Sequence, residues 1–341
     1  MTEQPVNEQW VLKRRPVHDA GPDDLELVAR PVPPLQDGQL LVRNIYLSLD
    51  PTQRIWMSDR EQYLPPVELG EVMRGRVMGV VEASRAERFR PGDLVTVGLG
   101  GWQRYIVCAA ANAQRVPQLP GVPLTAYMSV LGSTGLTAYF GMLDIGKAKA
   151  GDTVVVSAAA GAVGSIAGQL AKLQGARVIG IAGGPRKCDW IVGELGFDAA
   201  IDYKNEAVGP ALDRLCPQGI DLNFENVGGP VMDAVMSRMN NHGRVVVCGL
   251  ISTYNDASAA PGPSDFARVL MRRLSIQGFI VIDYLPRAAE ALAVLAPLVQ
   301  EGRLKWKTHV VDGLENAPDA LQRLFTGDHD GKLLVRIAPE P

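Results

Sequence analysis

Between residues 129 and 283, short apolar segments alternate with stretches that have the periodicity of helices. This order predicts parallel strands joined by helices that cover both faces of one sheet. Six strands match the size of a doubly wound sheet, so the fold class is α/β. The predicted strands are Thr153–Ser157, Arg177–Ala182, Ala199–Asp202, Ile220–Glu225, Arg244–Gly249 and Ser275–Ile282.

The rest of the chain differs in composition and in its apolar pattern. Residues 1–128 are rich in proline, glycine and short β-type segments, which predicts a compact domain that is mostly antiparallel or barrel-like. The tail, 284–341, contains a helix at Ala288–Gln300 and short strands that are expected to rejoin this first domain. We therefore expect one domain from 1–128 and 284–341, and a second from 129–283. The predicted strands of the first domain are Leu40–Tyr46, Arg76–Glu82, Asp93–Val97 and Arg104–Val107.

Charge and composition exclude several classes of protein. With 34 Lys and Arg against 37 Asp and Glu, the net charge is −3, and no basic cluster marks a nucleic-acid surface. No uninterrupted apolar run reaches the ~18 residues of a membrane span. The nearest two of the four scattered cysteines, Cys188 and Cys216, are 28 residues apart. This spacing predicts free thiols, a cytoplasmic protein and no metal site.

A glycine-rich turn follows the first predicted strand of the sheet. The sequence Ala158-Ala-Ala-Gly-Ala-Val-Gly164 leads into a helical stretch, Ile166–Gln174. Gly161 and Gly164 take the second and third glycine positions of a dinucleotide fingerprint. The first lets the backbone approach a pyrophosphate and the other allows close packing of helix and strand. Because a helix N-terminus also attracts anions, this pattern predicts a Rossmann domain that binds a dinucleotide.

The end of the second predicted strand distinguishes between the two nicotinamide dinucleotides. NAD-binding domains usually carry an acid there, which bonds the ribose 2′-hydroxyl. This chain instead has Ala182-Gly-Gly184, followed after one proline by Arg186 and Lys187. Two cations at a helix start oppose the helix dipole unless an anion joins them. The open glycine turn at Gly183 and the two cations therefore favour the 2′-phosphate of NADPH.

Five longer segments resemble one protein family. The chain is similar to the zinc-free medium-chain dehydrogenase/reductases, and within them to the branch that holds prostaglandin reductases, alkenal double-bond reductases and curcumin reductase. The resemblance implies a GroES-like catalytic domain built from both chain ends, a central Rossmann domain, and a homodimer joined through Rossmann sheet edges. The segments are Leu47-Ser-Leu-Asp-Pro51, Gly135-Leu-Thr-Ala-Tyr-Phe-Gly141, Ala158-Ala-Ala-Gly-Ala-Val-Gly164, Glu225-Asn-Val-Gly-Gly229 and Cys248-Gly-Leu-Ile-Ser-Thr-Tyr-Asn255.

The same resemblance implies where NADPH is bound. It places the pyrophosphate on Gly161–Gly164, the 2′-phosphate on Lys187 and Tyr203, and the nicotinamide amide along the segment that begins at Phe279. The implied cofactor residues are Gly161, Ala162, Val163, Gly164, Gly183, Arg186, Lys187, Tyr203, Asn226, Cys248, Gly249, Leu250, Ile251, Ser252, Thr253, Tyr254, Phe279, Ile280 and Val281.

Three positions depart from the family pattern. Thr52-Gln53 stands where many members have Tyr-Met, and Ser133-Thr134 where they often have Met-Pro. Because these changes reshape the substrate pocket, the substrate is not carried over from the family. His329 replaces an asparagine that reaches the cofactor, and we expect it to retain a hydrogen bond there. Thr52, Tyr63 and Tyr284 are the candidate pocket residues.

The chemistry of an unsaturated carbonyl compound points to one catalytic residue. Hydride addition to the β-carbon builds negative charge on the carbonyl oxygen, where a hydrogen-bond donor lowers the barrier most. Tyr254 is our candidate donor, acting with a ribose hydroxyl of the cofactor. The predicted function is thus NADPH-dependent reduction of the double bond of α,β-unsaturated aldehydes or ketones. A zinc-free alcohol dehydrogenase, a quinone reductase and an NADPH-binding structural or regulatory protein remain as alternatives.

Overall fold

The computed structural model describes residues 5–256, 258 and 262–341. The chain forms two compact units. Unit 1 takes in the chain up to Pro120 together with Thr308–His329 and Leu333–Pro341, and unit 2 consists of Gly121–Lys307 and Asp330–Lys332. Within the described ranges, no helix has both the length and the apolar character needed to cross a bilayer.

Strands dominate the N-terminal part of unit 1. Buried and partly exposed side chains alternate at the start of its longest strand, where Leu40 and Val42 have no exposed surface. This two-residue period is that of a sheet with one face on a core. The elements are β1 (Val6–Leu12), β2 (Leu25–Pro31), β3 (Gln39–Ser48), helix α1 (Thr52–Trp56), β4 (Val77–Ser84), β5 (Leu94–Val97), β6 (Tyr105–Ala109) and β7 (Ala113–Arg115).

Unit 2 contains the alternating elements that the sequence predicted. Its helices are α2 (Leu124–Tyr127), α3 (Ser133–Tyr139), α4 (Gly164–Leu173), α5 (Pro185–Gly193), α6 (Val208–Leu215), α7 (Gly229–Met236), α8 (Ala267–Arg272) and α9 (Ala288–Gln300). Its strands are β8 (Thr153–Val156), β9 (Arg177–Ala182), β10 (Ala199–Asp202), β11 (Ile220–Glu225), β12 (Met239–Val247) and β13 (Ser275–Gly278).

The six strands of unit 2 form one parallel sheet in the order β10-β9-β8-β11-β12-β13. Counted from β8, this order is 3-2-1-4-5-6, which is the order of a Rossmann domain. The order reverses between β8 and β11. The carboxyl ends of these two central strands therefore flank the point where doubly wound sheets bind their ligands.

The tail returns to the sheet of unit 1. It supplies β14 (Thr308–Asp312), helix α10 (Ala317–Thr326) and β15 (Lys332–Arg336). The sheet has the order β14-β15-β3-β4-β5-β7, and β6 also pairs with β3. The pairs of β3 with β15, β4 and β6 are antiparallel, as are those of β5 with β4 and β7, which confirms the predicted antiparallel character.

Two strand boundaries differ by four or more residues from the predicted ones, and the other differences are of one or two residues. β12 begins at Met239 and not at Arg244, because a four-residue irregularity that includes His242, with a φ of 64°, lies inside the strand. That segment has the composition of a turn, which hid the start of the strand. β13 ends at Gly278 and not at Ile282, because its partner β12 stops at Val247, opposite Gly278.

The boundaries of the units also lie elsewhere than the sequence indicated. Residues 121–128 and 284–307 belong to unit 2. Helix α9 packs against α3, where a Cβ on Gly135 would meet Leu295 at 3.2 Å. Gln169 of α4 holds the segment after α9, donating to the backbone oxygen of Lys305 over 2.8 Å and accepting from its N–H over 2.9 Å.

Candidate functional site

The glycine-rich turn connects β8 to α4 at the centre of the unit 2 sheet. A Cβ on Gly164 would lie 2.5 Å from the backbone oxygen of Ala158, and one on Gly161 would lie 3.0 Å from it. Only glycine fits the first of these positions, which supports the packing role predicted for Gly164. The turn places Gly161, Ala162, Val163 and Gly164 at the amino end of α4, where an anion is favoured.

A buried carboxylate organises the neighbouring strand end. Glu225, the last residue of β11, has no exposed surface. Its Oε1 accepts hydrogen bonds from the Ser157 hydroxyl (2.8 Å) and from the N–H groups of Val227 (2.6 Å) and Gly228 (2.9 Å). Its Oε2 accepts one from Asn223 (2.9 Å). Four donors on one carboxylate fix the turn after β11 in a single conformation.

This carboxylate network positions Asn226, a predicted cofactor residue. The Asn226 N–H donates to the Ser157 hydroxyl over 2.8 Å, and its side-chain amide donates to the Ser157 carbonyl oxygen over 2.7 Å. Ser157 follows β8 directly, so these bonds tie the two central strands together at their carboxyl ends. The sequence reasoning missed Ser157 and Glu225. The available signal was an acid at the end of a strand in which Ile220, Leu222 and Phe224 form a buried apolar face.

The segments that follow β9 and β10, Gly183–Lys187 and Tyr203, form what we call the rim of the sheet. A Cβ on Gly183 would lie 3.0 Å from both the ring and the hydroxyl of Tyr203, so this glycine allows the tyrosine to approach the backbone. Tyr203 is 48% exposed, and its N–H donates to Ala182. Arg186 and Lys187 lie in the first turn of α5, next to this glycine turn. The structure thus groups all four residues that were predicted for the 2′-phosphate.

Asp202, the last residue of β10, supports the same rim. Its Oδ1 accepts hydrogen bonds from the N–H groups of Gly184 (2.7 Å) and Lys204 (3.1 Å), and its Oδ2 accepts one from Asn205 (2.7 Å). The bond from Gly184 is the main reason why the pKa of Asp202 lies below its usual value. The sequence reasoning missed this residue, because its partner belongs to the neighbouring strand end.

Arg186 has an acidic partner within unit 2. Its guanidinium bonds the carboxylate of Asp330, and their side chains are 74% and 30% exposed. Asp330 begins a three-residue segment in which Gly331 forms a parallel β-bridge with Gly161. The preceding residue, His329, belongs to unit 1, where its Nδ1 lies 2.9 Å from the carbonyl oxygen of Arg323. Its predicted contact with the cofactor stays a prediction.

The loop after β12 is held by its backbone. The N–H groups of Cys248 and Gly249 donate to the Glu225 oxygen over 2.9 and 3.1 Å. Those of Ile251 and Ser252 donate to the oxygens of Asn226 and Val227 over 3.1 and 3.0 Å. The loop therefore follows the turn after β11 residue by residue. The predicted channel-lining residues that it carries are Cys248, Gly249, Leu250, Ile251, Ser252, Thr253 and Tyr254.

Tyr254 folds back over this loop. Its hydroxyl accepts a hydrogen bond from the Leu250 N–H over 3.1 Å, and a Cβ on Gly249 would lie 3.2 Å from the same oxygen. Burial, together with the charge of Glu225, raises the pKa of the nearby Cys248 thiol to about 12. The tyrosine hydroxyl is thus the loop's candidate for donating a proton or a hydrogen bond.

The segment after β13 belongs to an aromatic cluster. The rings of Phe279 and Tyr284 pack edge to face with their centroids 6.0 Å apart. The centroid of the Tyr284 ring also lies 4.8 Å from that of Phe140. This arrangement gives Tyr284 a packing role within unit 2, while its predicted place in a substrate pocket stays a prediction. Ile280 and Val281 follow Phe279 in the chain and are partly exposed.

Two candidate pocket residues meet in unit 1. The hydroxyls of Thr52 and Tyr63 form a hydrogen bond, and the Trp56 ring nitrogen donates to the Tyr63 hydroxyl over 3.2 Å. Thr52, which departs from the family pattern, therefore contacts Tyr63, another candidate residue of the substrate pocket. Whether the pair meets a substrate stays a prediction.

No three His, Cys, Asp or Glu side chains come close enough together to hold a metal ion within residues 5–256, 258 and 262–341. Each of the four cysteines is a free thiol, and Cys108 and Cys216 are buried. The described side chains therefore do not fit a zinc site of the Cys and His type.

Two family descriptions match the chain. Residues 8–116 match the family described as "N-terminal domain of oxidoreductase", and residues 162–297 match the one described as "Zinc-binding dehydrogenase". The second description does not extend to metal binding here, because the described residues lack a suitable set of ligands.

Known proteins resemble the chain over nearly its whole length. It is 41% identical over 337 residues to the NADPH-dependent curcumin reductase of Escherichia coli, with 97% of each chain covered. It is 36% identical over 345 residues to the NADP(+)-dependent 2-alkenal reductase of Nicotiana tabacum, with 100% of each covered. A solved structure of CurA in complex with NADPH, from Vibrio vulnificus, has a TM-score of 0.92 and 42% identity, covering 98% of this chain and 100% of that one. These likenesses confirm the predicted pairing of a GroES-like domain with a Rossmann sheet.

Proposed function

This chain belongs to the medium-chain dehydrogenase/reductase family, and on that premise we propose that it uses NADPH to reduce the carbon–carbon double bond of α,β-unsaturated aldehydes or ketones. The observation that carries the proposal is the Tyr254 hydroxyl, held at the carboxyl edge of a Rossmann sheet by the Leu250 N–H. Relatives whose names specify curcumin and 2-alkenals as substrates support a double bond conjugated to a carbonyl group.

The described residues fit NADPH in two respects. The turn at Gly161–Gly164 is a small-residue cradle at the start of a helix, since a Cβ on Gly164 would collide with Ala158. The rim at Gly183 carries Arg186, Lys187 and the exposed Tyr203, which suit a 2′-phosphate. Bound NADPH supplies the hydride for the reduction.

The contribution of the protein is to stabilise charge on the substrate. As hydride reaches the β-carbon, the carbonyl oxygen becomes negative, and a fixed donor at that oxygen stabilises the transition state. A hydroxyl can accept one hydrogen bond while it donates another. By accepting from Leu250, the Tyr254 hydroxyl becomes a stronger donor toward the substrate oxygen. Solvent then delivers the proton that the α-carbon requires.

We expect the purified protein to oxidise NADPH in the presence of enals and enones, because a conjugated carbonyl accepts hydride at its β-carbon. The product should be the saturated aldehyde or ketone with its carbonyl intact. Mass spectrometry of the products from a panel of enones, quinones and alcohols checks this.

The matched saturated aldehydes serve as the control, since they contain the carbonyl group but no double bond. An unsaturated alcohol as product would indicate an alcohol dehydrogenase, and turnover of quinones alone would indicate a quinone reductase. NADPH binding without turnover of any compound would favour a structural or regulatory role. Each of these outcomes contradicts the proposal.

We also propose a homodimer joined through β13, and a reducing, cytoplasmic location that agrees with the four free thiols. β13 is the last strand in the order of its sheet, and all four of its residues are exposed. Shortly before it in the chain, at the start of α8 and within this helix, Phe266, Leu270 and Met271 are 67%, 72% and 64% exposed, and α8 packs against the neighbouring strand β12. A strand edge beside large apolar side chains is a surface that proteins normally cover, and a second copy covers it by continuing the sheet.

Leu270→Glu is expected to shift the protein from dimer to monomer, because it places a charge on each side of the proposed interface. Light scattering during size-exclusion chromatography at micromolar concentration measures the mass. Leu69→Glu is the matched control, since Leu69 is also exposed (57%) but lies in unit 1. A monomeric parent protein, or a dimer that survives Leu270→Glu, contradicts this arrangement.

A further inference from the structure

We propose that Asp330 limits the preference for NADPH by competing with the 2′-phosphate for Arg186. This inference rests on the proposed NADPH site and adds a residue that opposes it. In the structure the guanidinium of Arg186 is bonded to the Asp330 carboxylate. A 2′-phosphate beside Gly183 must therefore displace a ligand that the protein itself provides.

The acid is the fixed partner of the pair. Gly331 bridges to Gly161, and the N–H of Lys332 donates to the Lys307 oxygen over 2.8 Å. A Cβ on Gly331 would lie 2.1 Å from that same oxygen, so the segment fits closely against unit 2. Asp330 is thus held by the backbone next to it, through the bridge between Gly331 and Gly161.

Arg186 is the mobile partner. Its side chain is 74% exposed and starts from the first turn of α5, two residues after Gly184. A long, exposed guanidinium can turn from one acceptor to another at small cost, since exposed ion pairs contribute little. The 2′-phosphate carries more negative charge than one carboxylate and accepts bidentate bonds from arginine. The phosphate therefore wins the competition, but with reduced affinity.

The consequence differs between the two cofactors. NADPH binding includes the cost of breaking the Arg186–Asp330 pair. NADH has no 2′-phosphate, so the pair remains intact when NADH binds. Asp330 accordingly narrows the preference for NADPH without changing the affinity for NADH.

Asp330→Asn is expected to tighten NADPH binding by roughly two- to fivefold, the range for an exposed ion pair, and to leave NADH binding unchanged. Dissociation constants from fluorescence titration of the complete protein measure both effects. Asp328→Asn is the matched control, because it removes the same charge from an exposed residue two positions earlier and should change neither constant. Added salt should reduce the gain, since salt screens exposed charges.

Asp330→Asn in an Arg186→Ala background tests whether Asp330 acts through Arg186. The gain in NADPH affinity should disappear there, because no guanidinium remains to be released. A full gain in that background, an equal change for both cofactors, or an unchanged NADPH constant in Asp330→Asn overturns the inference. If the parent binds both cofactors equally and Lys187→Ala has no effect, the proposed 2′-phosphate site itself fails. If Lys187→Ala weakens NADPH binding but Asp330→Asn leaves it unchanged, only the competition between Asp330 and the 2′-phosphate is contradicted.

Discussion

Lys187→Ala is expected to weaken NADPH binding by about tenfold or more while NADH binding stays nearly the same. Lys187 lies in the first turn of α5, beside the glycine turn that Tyr203 approaches. A hydrogen bond that involves a charged group contributes roughly 1.5–3 kcal/mol. Two such contacts, from Arg186 and Lys187, would give the parent a preference for NADPH of roughly 10²- to 10⁴-fold. Solvent exposure and the Asp330 carboxylate place the expected value at the lower end.

Titration of the parent and the variant with each cofactor checks this expectation. Lys149→Ala is the control, since it removes the same charge from an exposed residue of the same unit. The preference should also decline as salt is added, because part of it is Coulombic. Equal dissociation constants for NADPH and NADH in the parent would refute the assignment of the rim to the 2′-phosphate.

Tyr254→Phe is expected to lower kcat on accepted enones by about 10²-fold, the usual effect of losing one donor at a developing oxyanion. The substitution keeps the ring and removes only the hydroxyl, which accepts from Leu250. Because a ribose hydroxyl of the cofactor can act on the same oxygen, we expect no greater loss. The affinity for NADPH should change little, since the phosphate contacts lie elsewhere.

Single-turnover kinetics together with a cofactor titration separates the two effects. Tyr139→Phe makes the same chemical change at a residue whose hydroxyl bonds Glu290 on an exposed surface (3.3 Å), and it should leave kcat near that of the parent. An unchanged kcat for Tyr254→Phe on every accepted enone would remove this hydroxyl from the mechanism.

Local periodicity predicted most of the Rossmann sheet. The bounds of β9, β10 and β11 agree with the predicted strands, because each is a short apolar segment between turn residues. The two misplaced boundaries depend on pairing between strands. The start of β12 contains turn-like residues that lie between two paired positions, Met239 and Arg244, and the end of β13 is set by the length of its partner. The pairing between strands cannot be predicted from the local sequence of one strand alone.

The candidate site likewise contains features that the local sequence predicts and others that depend on contacts between distant segments. The packing role of Gly164 was predictable, because its missing side chain has a local steric reason. The Arg186–Asp330 pair spans 144 residues, and nothing in either local sequence indicates it. Ser157 and Glu225 likewise meet across two strands that are distant in sequence. Contacts that depend on the order of strands appear only once the sheet is assembled.

The backbone attachment of the loop at 248–254 has a consequence for altering the enzyme. Four of its N–H groups donate to the backbone oxygens of Glu225, Asn226 and Val227, so the loop's course does not depend on a side chain such as Ile251 that makes none of its hydrogen bonds. Ile251 can therefore be varied in a mutant library while Gly249 and Tyr254 keep their positions, whereas Thr253 should be retained because its hydroxyl donates to the Leu250 oxygen over 2.8 Å. Substitutions at such a position can change the range of substrates, by natural selection or by design, while the glycine turn at Gly161–Gly164 is left unchanged.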